Sequence, residues 1–421
     1  MASFENGDHK HFAPKSEGTR SGGHFKSSDL DGGSKADAAP KAADTVGVSS
    51  ATDGLRRVKK KKHKALKRVA IVLGVLVGIV VVAAAALALW LGSINSSMQI
   101  DEGDREALSK VLSTPSTTNN NAFYALIVGS DARSDDTTSR SDVTMLVRVD
   151  PSTATVDLVS IPRDTMVTIN GSTQKINAAY AFGGAAGAVS CVSEFAGVPI
   201  SHYAEVHFDE LKKVVDSLGG IWVDIPQDIE AGNGGMAFSA GNQLLNGEQA
   251  LAYARERYNV SGGDFGRAQA QRQIVEAIVR TILSRSPAEI PGLVSQLASS
   301  VSTDMSVTEL INLATTFAGK DLTVYSAACP SYTLNVDGVS YVGTMFDEWR
   351  RTMQLVDAGL DPNDDTAEIP EEQAQNQELG AATNSAAPRD YQSRAAGAMT
   401  TDDVATIPSS DSGTATDAAA Q

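Results

Sequence analysis

Five arginines and two aspartates stand at the ends of strand-like or helix-like stretches downstream of one long apolar segment: Asp131, Arg140, Asp142, Arg163, Arg255, Arg257 and Arg267. Arginine is permanently charged, and its planar fork of donors fits phosphate oxygens. Aspartates beside such a cluster suit a divalent metal shared with a phosphorylated ligand. Taken singly, each of these residues also reads as a solvated surface charge or as a turn aspartate. Their common placement at element ends points to one cleft able to hold a diphosphate, and the apolar segment points to a lipid one.

The elements that must position them can be read from the apolar pattern. Strands are expected at Phe123–Val128, Val143–Val149 and Thr155–Ile161, the last two joined through Asp150-Pro151 in hairpin spacing that implies antiparallel pairing. Antiparallel neighbours would bring Asp131 and Asp142 together, either as metal ligands or as ordinary turn residues. A small-residue helix follows over Lys175–Ala196, with Ala178, Ala181, Phe182, Ala185 and Val189 as its apolar stripe. Next come strand His202–Phe208, helix Asp209–Leu218 and strand Ile221–Ile225, then helices Gly247–Glu256, Ala268–Leu283 and Val307–Phe317, strand Leu322–Ser326 and helix Thr344–Leu355. Strands interleaved with helices imply an α/β fold, a central mixed sheet flanked by helices. Arg255 and Arg257 lie two apart, about 200° around a regular helix, so both reach one ligand only if the chain leaves the helix there. Arg267 begins a helix, where free N–H groups favour anions, and Gln271 lies one turn later on the same face.

Composition sets the surroundings of this cluster. Val69–Leu91 carries no charge and, at about 1.5 Å per residue, is long enough for a transmembrane helix. Nine basic residues precede it (Arg56, Arg57, Lys59, Lys60, Lys61, Lys62, Lys64, Lys67 and Arg68), which orients the N-terminus to the cytoplasm. Anionic lipid headgroups account for that run, and no nucleic-acid partner is expected. The organisation read from this is a disordered cytoplasmic tail (1–55), a basic juxtamembrane segment (56–68), one transmembrane helix (69–91), a linker (92–121) and an extracellular domain (122–358). A disordered C-terminal tail (359–421) completes it, and within the linker Asp101–Lys110 could be helical. The formal net charge is −16 despite the basic run, so the external part is strongly acidic and an anion must be held locally. Cys191 and Cys329, both external, are compatible with a disulfide or with two buried thiols. No phosphate loop, zinc helix or nucleophile elbow occurs, and four of the six histidines precede the span, so histidine-dependent hydrolysis and zinc catalysis are disfavoured.

Several longer segments match a known family. They include Val128-Gly129-Ser130-Asp131-Ala132-Arg133, Arg140-Ser141-Asp142, Ser160-Ile161-Pro162-Arg163-Asp164-Thr165 and Lys175-Ile176-Asn177-Ala178-Ala179-Tyr180. Further on come Leu218-Gly219-Gly220, Leu245-Asn246-Gly247-Glu248-Gln249-Ala250-Leu251-Ala252-Tyr253-Ala254-Arg255 and Gly263-Asp264-Phe265-Gly266-Arg267. Over about Ala122–Leu283 the chain resembles the LytR-CpsA-Psr phosphotransferases, which attach glycopolymers to peptidoglycan. The resemblance implies an α/β/α core whose apolar interior holds a polyprenyl chain with its diphosphate at the mouth. By the same resemblance Asp131 and Asp142 are the site of Mg²⁺ (or Mn²⁺), and Arg140, Arg163, Arg255, Arg257, Arg267 and Gln271 contact the diphosphate. Asp131, Arg140 and Arg163 are the catalytic candidates. The implied partners are a polyprenyl-diphosphate-linked glycan, a peptidoglycan acceptor and, through the one helix, the plasma membrane. One departure stands out: Ala270 occupies a position where the family often has a further arginine, and Arg272 is not expected to replace it. Hydrolysis of the same diphosphate, or lipid binding without turnover, are the alternatives.

Overall fold

The computed structural model describes residues 77–86, 88–89, 92–93, 95–96, 100, 102–115, 122–130, 141–231, 235–257, 259–260, 262–298 and 300–405. Asp131 and Arg140 lie outside them, as do the N-terminal tail, the whole basic run and part of the apolar segment 69–91. Residues 77–86 are helical, but no helix among the described residues is long and apolar enough to cross a membrane.

A short helix, α1 (Glu102–Ser109), opens the domain, in line with the expectation for that charged segment, and buries Leu108 in the main core. Then follow β1 (Phe123–Ser130), β2 (Ser141–Asp150), β3 (Thr155–Ser160), the hairpin β4 (Met166–Ile169) and β5 (Ser172–Lys175), α2 (Ala178–Ala196) and β6 (Ile200–His207). After α3 (Phe208–Ser217) come a second hairpin, β7 (Ile221–Ile225) and β8 (Gly241–Leu245), and the helices α4 (Gly247–Arg255), α5 (Asp264–Leu283) and α6 (Ile290–Leu297). The domain continues through β9 (Val301–Thr303), α7 (Val307–Phe317), β10 (Thr323–Ala328), a third hairpin β11 (Ser331–Val336) and β12 (Val339–Thr344), and α8 (Phe346–Ala358).

Six strands form the central sheet in the order β10-β3-β2-β1-β6-β9. The β1–β2, β2–β3 and β6–β9 pairs are antiparallel, whereas β1–β6 and β3–β10 are parallel, so the sheet is mixed. Alternation along the strands divides its side chains between two faces. Leu126, Val128 and Leu146 face α2 and α8, meeting Val189, Phe195, Trp349 and Met353, while Val143, Met145, Val147 and Leu158 face α5 and α7. The result is a helix-flanked mixed sheet. The turn between β2 and β3 is held by Asp150, whose Oδ1 accepts from Ser152 N at 2.9 Å and Ser152 Oγ at 2.6 Å.

Several expectations are corrected. Residues 359–405 are not a disordered tail: Leu379, Ala382, Ala387 and Tyr391 are buried in the main core, few apolar groups but each seated between existing elements. Phe182 is exposed rather than part of the α2 stripe, because Gly183 and Gly184 leave helical dihedrals and break the 3.6-residue period. Strand Ile221–Ile225 exists, but it pairs only with β8 in a separate ribbon. The cysteine question resolves to two buried free thiols, and burial pushes both pKa values up to about 12.

Candidate functional site

The site is built where β2 begins and β3 ends. The register Ser130↔Ser141 brings the end of β1 beside the start of β2, so Asp142 stands at one end of an inner strand, while Asp131 and Arg140 lie outside the described residues. After β3 the chain turns sharply: Thr165 N and Thr165 Oγ1 both donate to Pro162 O, at 3.0 and 2.6 Å. That turn is clamped from outside, since Val342 N donates to Asp164 O at 2.9 Å and Asn177 N to Arg163 O at 3.2 Å. Arg163 is thereby aimed at Asp142, with Nη1 2.6 Å from Oδ1.

The opposite wall comes from α4 and α5. Asn246 and Gln249 form a reciprocal capping box that starts α4. Gly247 lets α4 approach α3 closely, because a Cβ there would collide with the Lys212 carbonyl. The helix ends at Arg255 and Glu256 adopts extended dihedrals, which meets the condition for Arg255 and Arg257 to diverge from helical geometry. Glu256 Oε1 then accepts from Arg257 N at 3.0 Å and from Asn259 N at 3.1 Å, fixing the loop that leads to α5. Gln271 donates from Nε2 to Ala254 O at 3.2 Å, tying α5 to the end of α4.

Asp264, the first residue of α5, gathers three of the expected arginines. Its carboxylate lies 3.7 Å from Arg163 Nη2, 3.5 Å from Arg257 Nε and 3.4 Å from Arg267 Nη2. None of these pairs reaches hydrogen-bond geometry at Asp264 Oδ1, which is buried without a hydrogen-bond partner, as is Arg163 Nε. Buried polar atoms left in that state are costly, and anionic oxygens would relieve the arginine side. Burial works against the Arg163 charge, but the hydrogen bond to Asp142 and the fields of Asp164 and Asp142 outweigh it and hold its pKa above the ordinary value. Arg267 is shifted down, first by burial and then by neighbouring Arg163, although Asp264 opposes this.

Asp142, Arg163, Asp164, Asp264, Phe265, Arg267 and Gln271 line one cleft. Among the described residues Arg255 is not part of its wall, and Arg257 meets it through Asp264. Adjoining it is a cavity of about 170 Å³ between β1, β2, β6 and helices α3 and α5. Ile127, Val206, Leu211, Ile274, Ile278 and Ile282 are among its walls, and Val143 and Gln271 belong to both spaces. A space so lined repels water and accepts hydrocarbon.

Sequence reasoning missed Asp164 and Asp264 as site residues. Asp164 also binds Lys175 Nζ at 3.0 Å. The signal was present, since both lie inside motifs already quoted, next to Arg163 and three residues before Arg267. Ala270 is buried in the apolar cluster with Tyr253, Ala254 and Ile274, away from the cleft. Arg272 stays outside the cleft too, but it supports it: Nη1 donates to Ser160 Oγ at 2.8 Å and Nε to Ser326 Oγ at 2.8 Å, and Ser160 lines the cleft. Burial lowers the Arg272 pKa to about 10.

The donor chemistry also fits a hard divalent cation. Asp142, Asp164 and Asp264 offer carboxylate oxygens to one cleft, and Mg²⁺ is commonly held by one or two carboxylates plus substrate phosphates. Among the described residues no group of three or more histidine, cysteine, aspartate or glutamate side chains is arranged to hold a metal by itself.

The LytR_cpsA_psr family profile matches residues 89–354, well over half of the chain. The chain belongs to the LytR_cpsA_psr family. Among LytR_cpsA_psr relatives, it is 34% identical over 264 residues to the polyisoprenyl-teichoic acid–peptidoglycan teichoic acid transferase TagU of Halalkalibacterium halodurans, covering 60% of this chain and 86% of that protein. The TagU of Enterococcus faecalis is 33% identical over 241 residues, covering 56% and 79%. Bacillus subtilis TagV, a crystal structure, is similar at 35% identity, 53% and 91% coverage and a TM-score of 0.46.

Proposed function

We propose that this protein is a transferase that moves a glycopolymer from a polyprenyl-diphosphate carrier to a peptidoglycan hydroxyl, leaving a phosphodiester link. The observation that carries this reading is the junction of two spaces. Three arginines converge on one carboxylate in a cleft that shares Val143 and Gln271 with an apolar cavity. A charged head and a hydrocarbon tail on one molecule would occupy them together. The TagU relatives, named as teichoic acid transferases acting between a polyisoprenyl carrier and peptidoglycan, support the same conclusion.

In this reading the acceptor oxygen attacks the sugar-proximal phosphorus, the bond to the bridging oxygen breaks, and polyprenyl phosphate leaves. Arg163 and Arg267, buried enough to act in a low dielectric, stabilise the negative charge that builds on the phosphoryl oxygens. Arg257 closes the same cluster from the α4 side, and Gln271 orients the head at the junction with the cavity. The hydroxyl proton passes to a carboxylate, for which Asp131 is the candidate. Asp142 with Asp131 would hold Mg²⁺ or Mn²⁺, which supplies charge neutralisation at the phosphate oxygens when bound.

A single membrane helix, a cytoplasmic N-terminus and an extracellular catalytic domain at the plasma membrane belong to the same proposal. The charge-free run Val69–Leu91, the basic residues before it and the exposed side chains of Val77, Ile79, Val80, Val81 and Val82 support them.

The test is transfer of labelled glycan from an isoprenyl-diphosphate carrier to purified sacculi by the full chain in detergent. Arg163→Ala should lower the rate by about a hundredfold or more while leaving the circular-dichroism spectrum unchanged. Wild-type activity in that variant would refute the assignment. Glycan released as a free phosphate, with equal speed when sacculi are omitted, would make the protein a hydrolase instead.

A further inference from the structure

The family profile ends at residue 354, yet the described residues continue to residue 405. This extension is stitched to the domain in three places. Gly380 N and Ala382 N donate to Ala196 O and Phe195 O at the end of α2, at 2.8 and 3.1 Å. Thr168 N donates to Asn384 O and Ala386 N to Met166 O, at 2.7 and 3.1 Å, along β4. Residues 399–401 then run beside β11: Thr400 bridges Tyr332 in antiparallel fashion, Thr333 N donates to Met399 O and Thr401 N to Ser331 O, both at 2.9 Å.

The last stitch folds residues 400–404 back against the domain. Asp403 Oδ2 accepts from Thr400 N at 2.7 Å, and Val404 N donates to Thr401 O at 3.2 Å, so the chain turns back on itself. Val404, only 4% exposed, packs in an apolar cluster with Phe265 and Val342. Both of those partners line the arginine cleft. Phe265 is the second residue of α5, directly after Asp264 and two before Arg267. The fit is close, since a Cβ on Gly262 would collide with the Val404 side chain.

We propose that the C-terminal extension backs the wall that Phe265 and Val342 give the diphosphate cleft, and that Val404 is a positioning residue which fixes the start of α5 and, through it, Asp264 and Arg267. The proposal rests on the reading of the cleft given above. Its physical basis is that α5 begins after two glycines with positive φ, Gly262 and Gly263, and no side chain caps it. A helix start without a cap frays readily. Here the Val404–Phe265 contact takes the place of a cap in holding the first turn, and therefore the arginine cluster, in one position.

The experiment compares the full-length wild type with Val404→Ser and the conservative Val404→Ile in detergent micelles. Hydrogen exchange of the amides of residues 264–270 is measured without ligand, and binding of geranyl diphosphate with Mg²⁺ by calorimetry. Val404→Ser should lose about tenfold protection in 264–270 and about tenfold affinity, with β1 and β2 protection unchanged, and Val404→Ile should restore both. Wild-type protection at 264–270 in Val404→Ser overturns the proposal. So does protection lost equally in β1 and β2, which would make Val404 a general stabiliser, and so does protection lost at 264–270 with affinity retained. Because the exchange measurement needs no ligand, a wild type that fails to bind geranyl diphosphate refutes the reading of the cleft, while exchange alone still decides the contact.

Discussion

Arg163 meets three carboxylates, with Asp142 at 2.6 Å, Asp264 at 3.7 Å and Asp164 at 4.0 Å, and only the first is a good hydrogen bond. Arg163 Nε is left without a hydrogen-bond partner, a donor that an anion bringing more oxygens would satisfy. A second buried ion pair, far along the same strands, carries a different lesson. Asp157 is fully buried, and its Oδ2 lies 3.6 Å from Arg148 Nη1 while neither of its oxygens accepts a hydrogen bond. Burial raises its pKa from 3.8 to about 7, with Arg148 pulling the other way. Between those values the native state holds a proton that the unfolded chain has released, so stability falls as pH rises through this window and the loss is complete above it. Urea denaturation across the window should show a decline on the order of 4 kcal/mol in the wild type. The slope should be much flatter in Asp157→Asn; equal slopes in the two proteins would show that another group titrates. Arg163 and Arg267 stood out in the sequence because several arginines recur at element ends within one series of motifs, although each alone also reads as a solvated surface charge. Asp264 did not, since a helix's first residue is often acidic for reasons of the helix dipole alone.

Elements with strong local signals were read well, and two that were missed also had a signal. Helix α7 and strand β7 fall on their expected bounds, because an apolar run between clear stops needs no tertiary information. The hairpins β4–β5 and β11–β12 turn on Asn170-Gly171 and Asp337-Gly338, all four residues with positive φ. Asn-Gly and Asp-Gly are the sequences such two-residue turns demand, so both hairpins were available to a closer reading. The β7–β8 ribbon was a different case: its strand was visible, but which sheet it joins depends on distant partners. Close packing of α4 on α3 is likewise tertiary. Gly247→Ala places a methyl group against the Lys212 carbonyl and should cost about 1–3 kcal/mol in urea denaturation. Unchanged stability would mean that the helices separate without penalty.

At the scale of the whole molecule, the charged cleft and the apolar cavity must act as one site if a lipid diphosphate is the substrate. Val275 lines the cavity on α5 but not the cleft, so Val275→Trp should fill the hydrocarbon space and spare the arginines. Affinity for a long isoprenyl diphosphate should fall by about tenfold or more, while affinity for inorganic pyrophosphate with Mg²⁺ stays within about twofold. Equal losses for both ligands would show that the substitution disturbs the whole site. The sequence by itself determined the residue chemistry, the order of the motifs and the alternation of strands and helices, because charge type and apolar period are local properties. The tertiary structure alone decided that Asp264 unites three arginines, that Ala270 faces the core and that residues 359–405 are part of the domain. Each of these depends on contacts between segments far apart in the chain, where a few buried side chains outweigh the polar composition around them. For the arginine cluster that began the argument, this packing turns separate charges into a cleft with an apolar cavity beside it.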